Sequence, residues 1–596
     1  MKDTVWILLT TKNLIFVFII LFANACSSNK KEAISKLPKA KRKIDAPLTV
    51  NSGPSLSRLT MTLFKEVSDK YGLSNISATH FYAVDINHDG YTDIAYLENF
   101  YSVPKFLVFD KKKKMFESLE SPFTEGVRAS YLYFVDINRD GLIDVFLGTL
   151  NQKTELTKYP LKLYIGNKSK NGFMFVEQRD AFPPNKEPTS SISLVDFNND
   201  GILDVYAANW YYYNRRTLNY ETVPDRLYQG LKDLKFQDVS YLLEDEHKYH
   251  SETARYPNAR PTYAVSSCDI DQDGYVDILT ANSGGYKNKL WMNRASLKGG
   301  RIFKDYGESS GYSADIVGRL DPKGGGNTYF ANCADYNHDK IIDIIMGELT
   351  HARSLENVDV SSVLTGSSPN FPPKFIRSPY FDDQGKPNWS QGDKRATWAD
   401  LNFDGFTDLL IDNSGFPPDS RLILFLQEKD HSFINLAKEA GIDHLNPSGS
   451  ILLDVNQDGK LDILSGQTNV RNSTIVKKVF LYLNELPYEG NRVIRVYLRN
   501  QYHGLGGVGA RVELKGRKYS QVKWNETVRG GLPSQNEEGL HFGISMDNDP
   551  TRLKVKFTNK KEYSFDITRL KFKRFLEITV CEDGKYTVGK KSRCRN

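Results

Sequence analysis

The sequence predicts an all-β protein: a seven-bladed β-propeller followed by a small C-terminal β-rich domain. Three observations lead there. A nine-residue acidic pattern, D-x-[DN]-x-D-x-x-x-D with Gly at the sixth position in all but one copy, recurs seven times, short apolar runs flank every copy, and Tyr and Phe, 33 of each, favour β-structure. At 596 residues the chain exceeds one ordinary domain, so a large repeat domain with a smaller companion is expected.

The copies begin at Asp85, Asp136, Asp196, Asp269, Asp335, Asp400 and Asp454, spaced by 51 to 73 residues, the length of one four-stranded unit with variable loops. Runs such as FYAVD before a copy and DIAYL after it read as two strands joined by the acidic loop. A third run follows in most repeats, as at Leu161, Asn288, Arg421 and Val479, and then a fourth led by Phe116, Phe175, Phe236, Phe303, Phe375 or Phe433. Four strands repeated seven times make a propeller. The last repeat lacks a Phe-led strand, and Phe64-Lys65-Glu66-Val67 resembles Phe236-Gln237-Asp238-Val239. The N-terminal strand is therefore expected to complete the seventh blade and remove the open edge.

The ends of the chain differ in character. Residues 1–25 read as a signal peptide, with Leu14 to Ala23 apolar throughout and too short to span a bilayer. Ala23-Asn24-Ala25-Cys26 looks like a bacterial lipoprotein cleavage box, which would leave Cys26 as a lipidated N-terminus. Ala stands three before Cys26 where Leu is commoner, so a plain signal peptide or an N-terminal anchor is the alternative. Residues 26–55 are then a Lys-rich tether, 56–490 the propeller, 491–582 the second domain and 583–596 a basic tail. The formal charge is +6, and the runs at Lys30 to Lys43 and Lys111 to Lys114 read as solvated tails and loop tips, so nucleic acid is not an expected partner. Of the remaining cysteines, Cys581 and Cys594 are close enough to pair, whereas Cys268 and Cys333, on apolar strands, are expected to be buried free thiols.

The acidic loops carry the chemistry. A hard divalent cation takes six or more oxygens, and alternate positions of the first loop offer Asp85, Asn87, Asp89, the carbonyl of Tyr91, and Asp93. The equivalent sets are Asp136, Asn138, Asp140, Leu142 and Asp144; Asp196, Asn198, Asp200, Ile202 and Asp204; and Asp269, Asp271, Asp273, Tyr275 and Asp277. The last three are Asp335, Asn337, Asp339, Ile341 and Asp343; Asp400, Asn402, Asp404, Phe406 and Asp408; and Asp454, Asn456, Asp458, Lys460 and Asp462. All-oxygen donors in flexible loops favour calcium, up to seven ions in a structural role. The loops close at the ninth position with Asp and lack flanking helices, so they are not EF-hands. Lys340 stands where the other loops have Gly, which adds strain and a positive charge and makes that site the weakest. The alternative is that these Asp side chains only cap turns. His88 and His338 occupy non-ligand positions and are expected to face solvent.

These repeats resemble the FG-GAP and VCBS propeller repeats over about 56–490. The segment after 491 looks like an ASPIC/UnbV domain on three ordered blocks: Gly506 with Val508-Gly509-Ala510-Arg511-Val512, then Gly530-Gly531 with Ser534-Gln535-Asn536, then Leu540-His541-Phe542-Gly543-Ile544. Together they resemble the arrangement of cartilage acidic protein-like bacterial proteins.

No nucleophile elbow, zinc-type His pair, phosphate loop or dinucleotide fingerprint appears in the sequence. His541 reads as structural. Trp210, Tyr211, Tyr212, Tyr213 and Arg215 are the candidate partner contacts, with burial in the propeller as the alternative. The functional expectation is an exported, lipid-anchored binding, adhesion or scaffold module, on the periplasmic face or the cell surface, meeting a protein or glycan. A calcium-dependent carbohydrate-active enzyme on extracellular glycans is the alternative.

Overall fold

The computed structural model describes residues 50–51, 63–150, 161–169, 172–185, 187–214, 218–251, 256–313, 325–349, 361–380, 392–414, 420–470, 472–500, 506–525, 528–529 and 534–589. Each acidic loop joins the first two strands of a four-stranded antiparallel sheet. In the first unit these strands are His80–Val84, Asp93–Leu97, Lys105–Asp110 and Met115–Leu119. Six further sheets follow the same plan, and the last is completed by Phe64–Glu66, which pairs antiparallel with Lys478–Asn484. The closing strand predicted from the Phe-led pattern is therefore present. Phe64 is 1% exposed, and burying such a side chain contributes roughly 1.5–3 kcal/mol.

The first strands are buried along their length because both faces are covered by neighbouring units. The apolar core consists of layers between consecutive units. One layer joins Phe81, Ile94 and Leu107 of the first unit to Ile451, Leu464 and Leu481 of the last, and another joins the first unit to Leu132, Val145 and Phe175 of the second. The sequence of layers closes on itself. A β-propeller is the result.

Val50–Asn51, inside the expected tether, pairs parallel with Phe433 and Ile434 at the outer edge of the sixth unit. An edge strand offers unpaired backbone groups, so a passing extended segment docks there. The expected signal peptide and Cys26 lie outside the described residues.

The C-terminal segment forms two sheets around one apolar core that includes Ile494, Val512, Phe542, Val555 and Ile578. Arg492–Arg499 lies between Leu540–Ile544 and Phe575–Cys581, and Arg511–Gly516 lies between Ser520–Trp524 and Pro550–Lys556. Tyr586–Val588, inside the expected tail, pairs antiparallel with Ile578–Val580.

One expectation is overturned. Cys268 and Cys333 form a disulfide, with Cα atoms 6.6 Å apart. They stand near the ends of the first strands of consecutive units, Thr262–Cys268 and Thr328–Ala334, which lie side by side, so two buried thiols at nearly equivalent repeat positions meet. Cys581 is also disulfide-bonded, and Cys594, its expected partner, lies outside the described residues.

Candidate functional site: the acidic loops and their cap

The seven loops share one internal geometry. The ninth-position Asp, buried in every loop, accepts two backbone N–H bonds. One comes from the residue after the first Asp, at 2.7–3.2 Å, as from Ile86 to Asp93 and Leu401 to Asp408. The other comes from the third strand at 2.8–2.9 Å, as from Phe109 to Asp93 and Gly230 to Asp204. This carboxylate therefore straps the loop to the sheet, a role the ligand pattern alone did not reveal.

The first Asp accepts N–H bonds from the fifth and sixth positions in the loops at Asp85, Asp136, Asp196 and Asp454. The residue at position seven, such as Tyr91, Leu142, Ile202 or Phe406, donates its N–H to the fifth-position carboxylate. Asn138, Asn198, Asn337, Asn402 and Asn456 donate a side-chain N–H to the same carboxylate. Turn capping is thus part of how these loops hold their shape. It does not account for every oxygen. Asp269 Oδ1, Asp271 Oδ1, both oxygens of Asp335 and Asp400 Oδ1 are buried without a hydrogen-bond partner. In the fourth loop, one carboxylate oxygen from each of Asp269, Asp271 and Asp273 falls within 4.8 Å of the others.

Burial and the crowding of like charge push these carboxyls up: Asp136 and Asp196 to about 6, Asp93, Asp269 and Asp335 to about 7, and Asp144 and Asp204 to about 8. Orphaned carboxylate oxygens in an all-oxygen donor set fit a hard divalent cation, whose charge would offset that crowding. Two loops already face a guanidinium. Arg294 bonds Asp271 and lies 3.4 Å from Asp273, and the buried Arg495 lies 3.7 Å from Asp454 and 3.4 Å from Glu537.

Gly90, Gly141, Gly201, Gly274, Gly405 and Gly459 turn the chain at φ of 86° to 93°, and Lys340 takes the same left-handed region at φ 69°. The expected charge of Lys340 is turned onto Glu513, 2.8 Å away in the C-terminal domain.

Position four, read from the sequence as solvent-facing at His88 and His338, behaves otherwise. His88 is exposed, but the His338 ring stacks on Tyr519 at 4.6 Å and on Phe406 at 5.4 Å, because the C-terminal domain covers it. At four other loops this position donates to the sixth-position carbonyl of the next loop. Arg139 bonds Gly201 at 2.8 Å, Asn199 bonds Gly274 at 2.9 Å, Gln272 bonds Lys340 at 2.6 Å and Gln457 bonds Gly90 at 2.9 Å, the last joining the seventh unit to the first. The recurring polar residue at position four was the available signal.

The C-terminal domain caps the loop end of the ring. Ser534–Gln535 enters among the first strands: Gln535 accepts from the Phe134 N–H at 3.0 Å and donates to its carbonyl at 3.2 Å, while Arg395 donates to the Ser534 carbonyl at 3.0 Å. Asn536 accepts from the Leu452 N–H at 3.1 Å. Asn500 donates to Asp136 at 3.0 Å, and the buried His541 donates Nε2–H to the Gly459 carbonyl at 3.0 Å. A Cβ on Gly543 would strike the Asp400 carboxylate. His541 is therefore structural, as expected.

The aromatic candidates sit at the far end of the third unit. Trp210 is buried against Tyr263, ring centroids 5.1 Å apart, so packing accounts for it. Tyr211–Asn214 pairs with Asn219–Thr222 as a separate half-exposed hairpin, and Arg215 lies outside the described residues.

Two family descriptions match the chain: FG-GAP-like repeat over residues 136–207, and ASPIC and UnbV over residues 504–583. Cartilage acidic protein 1 of Xenopus tropicalis is 25% identical over 298 residues, 47% of this chain and 40% of that protein. The Homo sapiens protein is 24% identical over 295 residues, 47% of this chain and 39% of that protein. The match thus spans about two fifths of these relatives' length. Among solved structures, a chain from the crystal structure of BBS1N in complex with ARL6DN covers 72% of this chain and 99% of its own at 7% identity and TM-score 0.37. Rhamnogalacturonan lyase YesW covers 70% of this chain and 91% of its own at 10% identity and TM-score 0.30. One chain thus carries both an FG-GAP-like repeat and an ASPIC and UnbV segment, and it is similar to proteins that join the two.

Proposed function

We propose that this is an exported, lipid-anchored, calcium-stabilised binding or scaffold module whose partner is a protein or glycan at the cell surface. The observation that carries the calcium reading is the set of buried carboxylate oxygens without a donor at Asp269, Asp271, Asp335 and Asp400. Of the loops that carry such oxygens, the one at Asp400 would hold the ion best. Arg294 and Arg495 compete at the fourth and seventh loops, and Lys340 strains the fifth. The ion's role is to neutralise the acidic loops; holding the loops in shape is the work of the ninth-position straps. Export is supported by the Cys268–Cys333 disulfide, since such bonds persist in oxidising compartments. The binding role is supported by the seat of Ser534–Gln535 among the first strands, which leaves the outer surfaces as the places to meet a partner.

The test is calcium titration into chelator-treated full chain in mild detergent, following thermal unfolding and counting bound ions by calorimetry. About four to seven ions should bind, and each site at 100 times its Kd would add about 2.7 kcal/mol. Absence of binding together with unfolding indifferent to chelator would reduce the loops to turn caps.

A further inference from the structure

Lys340 is the one departure from Gly among seven loops, and the cation reading gives it no purpose. An L side chain at φ 69° is strained relative to Gly. Its amine forms one wall of a cavity of about 440 Å3 between the fifth acidic loop and the C-terminal domain, with Glu513 and Lys515 on the strand Arg511–Gly516, Arg552 and Lys554 on Pro550–Lys556, and Asp566 on Glu562–Asp566. Alternation along the two central strands places Glu513, Lys515, Arg552 and Lys554 on one face.

The charge arrangement there is costly. Lys515 and Arg552 are directly opposite each other in the antiparallel pair, where like charges destabilise, and Asp566, opposite Arg552 on its other side, offsets only part of that charge. Glu513 is engaged by Lys340 at 2.8 Å and by Arg511 at 3.3 Å, so it does not neutralise the others. Lys515, Arg552 and Lys554 form no ion pair within 4.0 Å among the described residues. Residues 491–596 hold 23 Lys and Arg against 11 Asp and Glu, so a wider positive field surrounds the cavity. Strain at Lys340 and repulsion between Lys515 and Arg552 are separate costs, and both place positive charge in one concavity.

We infer that the groove between Lys340, Lys515, Arg552 and Lys554 binds an anionic glycan through its sulfate or carboxylate groups. The hydroxyls of Thr551 and Thr568 also line it and suit sugar oxygens. No aromatic side chain lines it, so nucleic-acid bases would find no stacking platform, and no apolar side chain rises from it to enter a membrane. The inference goes beyond the proposed module role and is independent of the acidic loops.

Calorimetry on the full chain in mild detergent, at low and moderate salt, tests it with two probes: a heparin-derived hexasaccharide and a hexagalacturonate. Binding of either supports the groove, and the tighter one identifies the anionic group. Lys515→Ala combined with Arg552→Ala should weaken binding at least about tenfold and flatten its salt dependence. Lys340→Gly should weaken it by roughly threefold without lowering the melting temperature, since the substitution relieves strain. The proposal is overturned if neither glycan binds, if the double variant binds as the parent does while remaining folded, or if anionic vesicles or single-stranded DNA bind more tightly than both glycans. A double variant that fails to fold leaves Lys340→Gly to decide, with unchanged affinity as the refuting result.

Discussion

Replacing Cys268 and Cys333 together by Ala removes a cross-link between residues 65 apart in sequence. In the chain-entropy account, such a closure restricts the unfolded state by about 14 cal/mol/K, or about 4 kcal/mol at 25 °C. The ring spans roughly 430 residues, which at about 2.1 cal/mol/K per residue gives an unfolding entropy near 0.9 kcal/mol/K. The double variant should then melt about 5 °C lower if the ring unfolds as one unit. Differential scanning calorimetry of parent and variant reads the shift, and the parent should fall to the variant's value in reductant. Peptide mapping without reduction should recover the fragments of the two first strands as one linked species. Free thiols at both positions in the unreduced, denatured protein, or a parent unmoved by reductant, would refute the pairing and restore the expectation from sequence.

Three further outcomes follow from the geometry. Arg495→Met should strand Glu537 and Asp454 as uncompensated buried acids and cost about 3–5 kcal/mol in denaturant unfolding, part of it recovered by adding Glu537→Gln. Gln457→Ala loses the bond to Gly90 and should cost about 1 kcal/mol, while Gln457→Gly should cost less because it relaxes a residue at φ 56°; equal losses would deny the strain. His444 is buried between Ser465, Tyr482 and Phe480, and desolvation pushes its pKa down from 6.5 to about 4. The unfolded chain then binds the extra proton below pH 6.5, so stability is full above that pH and falls as pH drops toward 4, by about 1.4 kcal/mol per unit for this residue. His444→Gln should flatten the slope over that window.

The ring was legible because each unit writes its own pattern. An acidic loop between two apolar runs and a Phe-led strand recur, and the unmatched Phe64 segment disclosed the closure. What stayed hidden depends on neighbours in space. Cys268 and Cys333 read as thiols because each was judged within its own repeat, although their near-equivalence in consecutive repeats implied adjacency. His338 read as exposed because nothing in its own unit covers it; Tyr519 arrives from 181 residues further along the chain. The strapping role of the ninth-position Asp stayed hidden because its two backbone N–H partners carry no side-chain signature. Ser534-Gln535-Asn536 stood out as a block of the second domain, but its place among the first strands required the assembled ring.

The two sides of the cap carry opposite net charge, yet most of the contacts at its centre are not ion pairs, the buried Arg495 against Asp454 being the exception. Residues 56–490 hold 47 Lys and Arg against 59 Asp and Glu, a net −12, and residues 491–596 carry +12. Without cations, that opposition draws the basic domain onto the acidic face. Full loading with divalent ions would add about fourteen positive charges to that face and reverse the sign. A cap held by net charge would then be expelled by ions filling the loops. Apart from Arg495 on Asp454, the contacts at the centre do not depend on it: Gln535 on the Phe134 backbone, His541 held neutral by burial and bonded to the Gly459 carbonyl, and Gly543 against the Asp400 loop. The salt bridges from Lys340 to Glu513 and from Arg139 to Glu582 are more exposed and more readily screened by salt. The domain can therefore remain seated whether or not the loops are filled, with loading changing the strength of its rim and leaving its position unchanged.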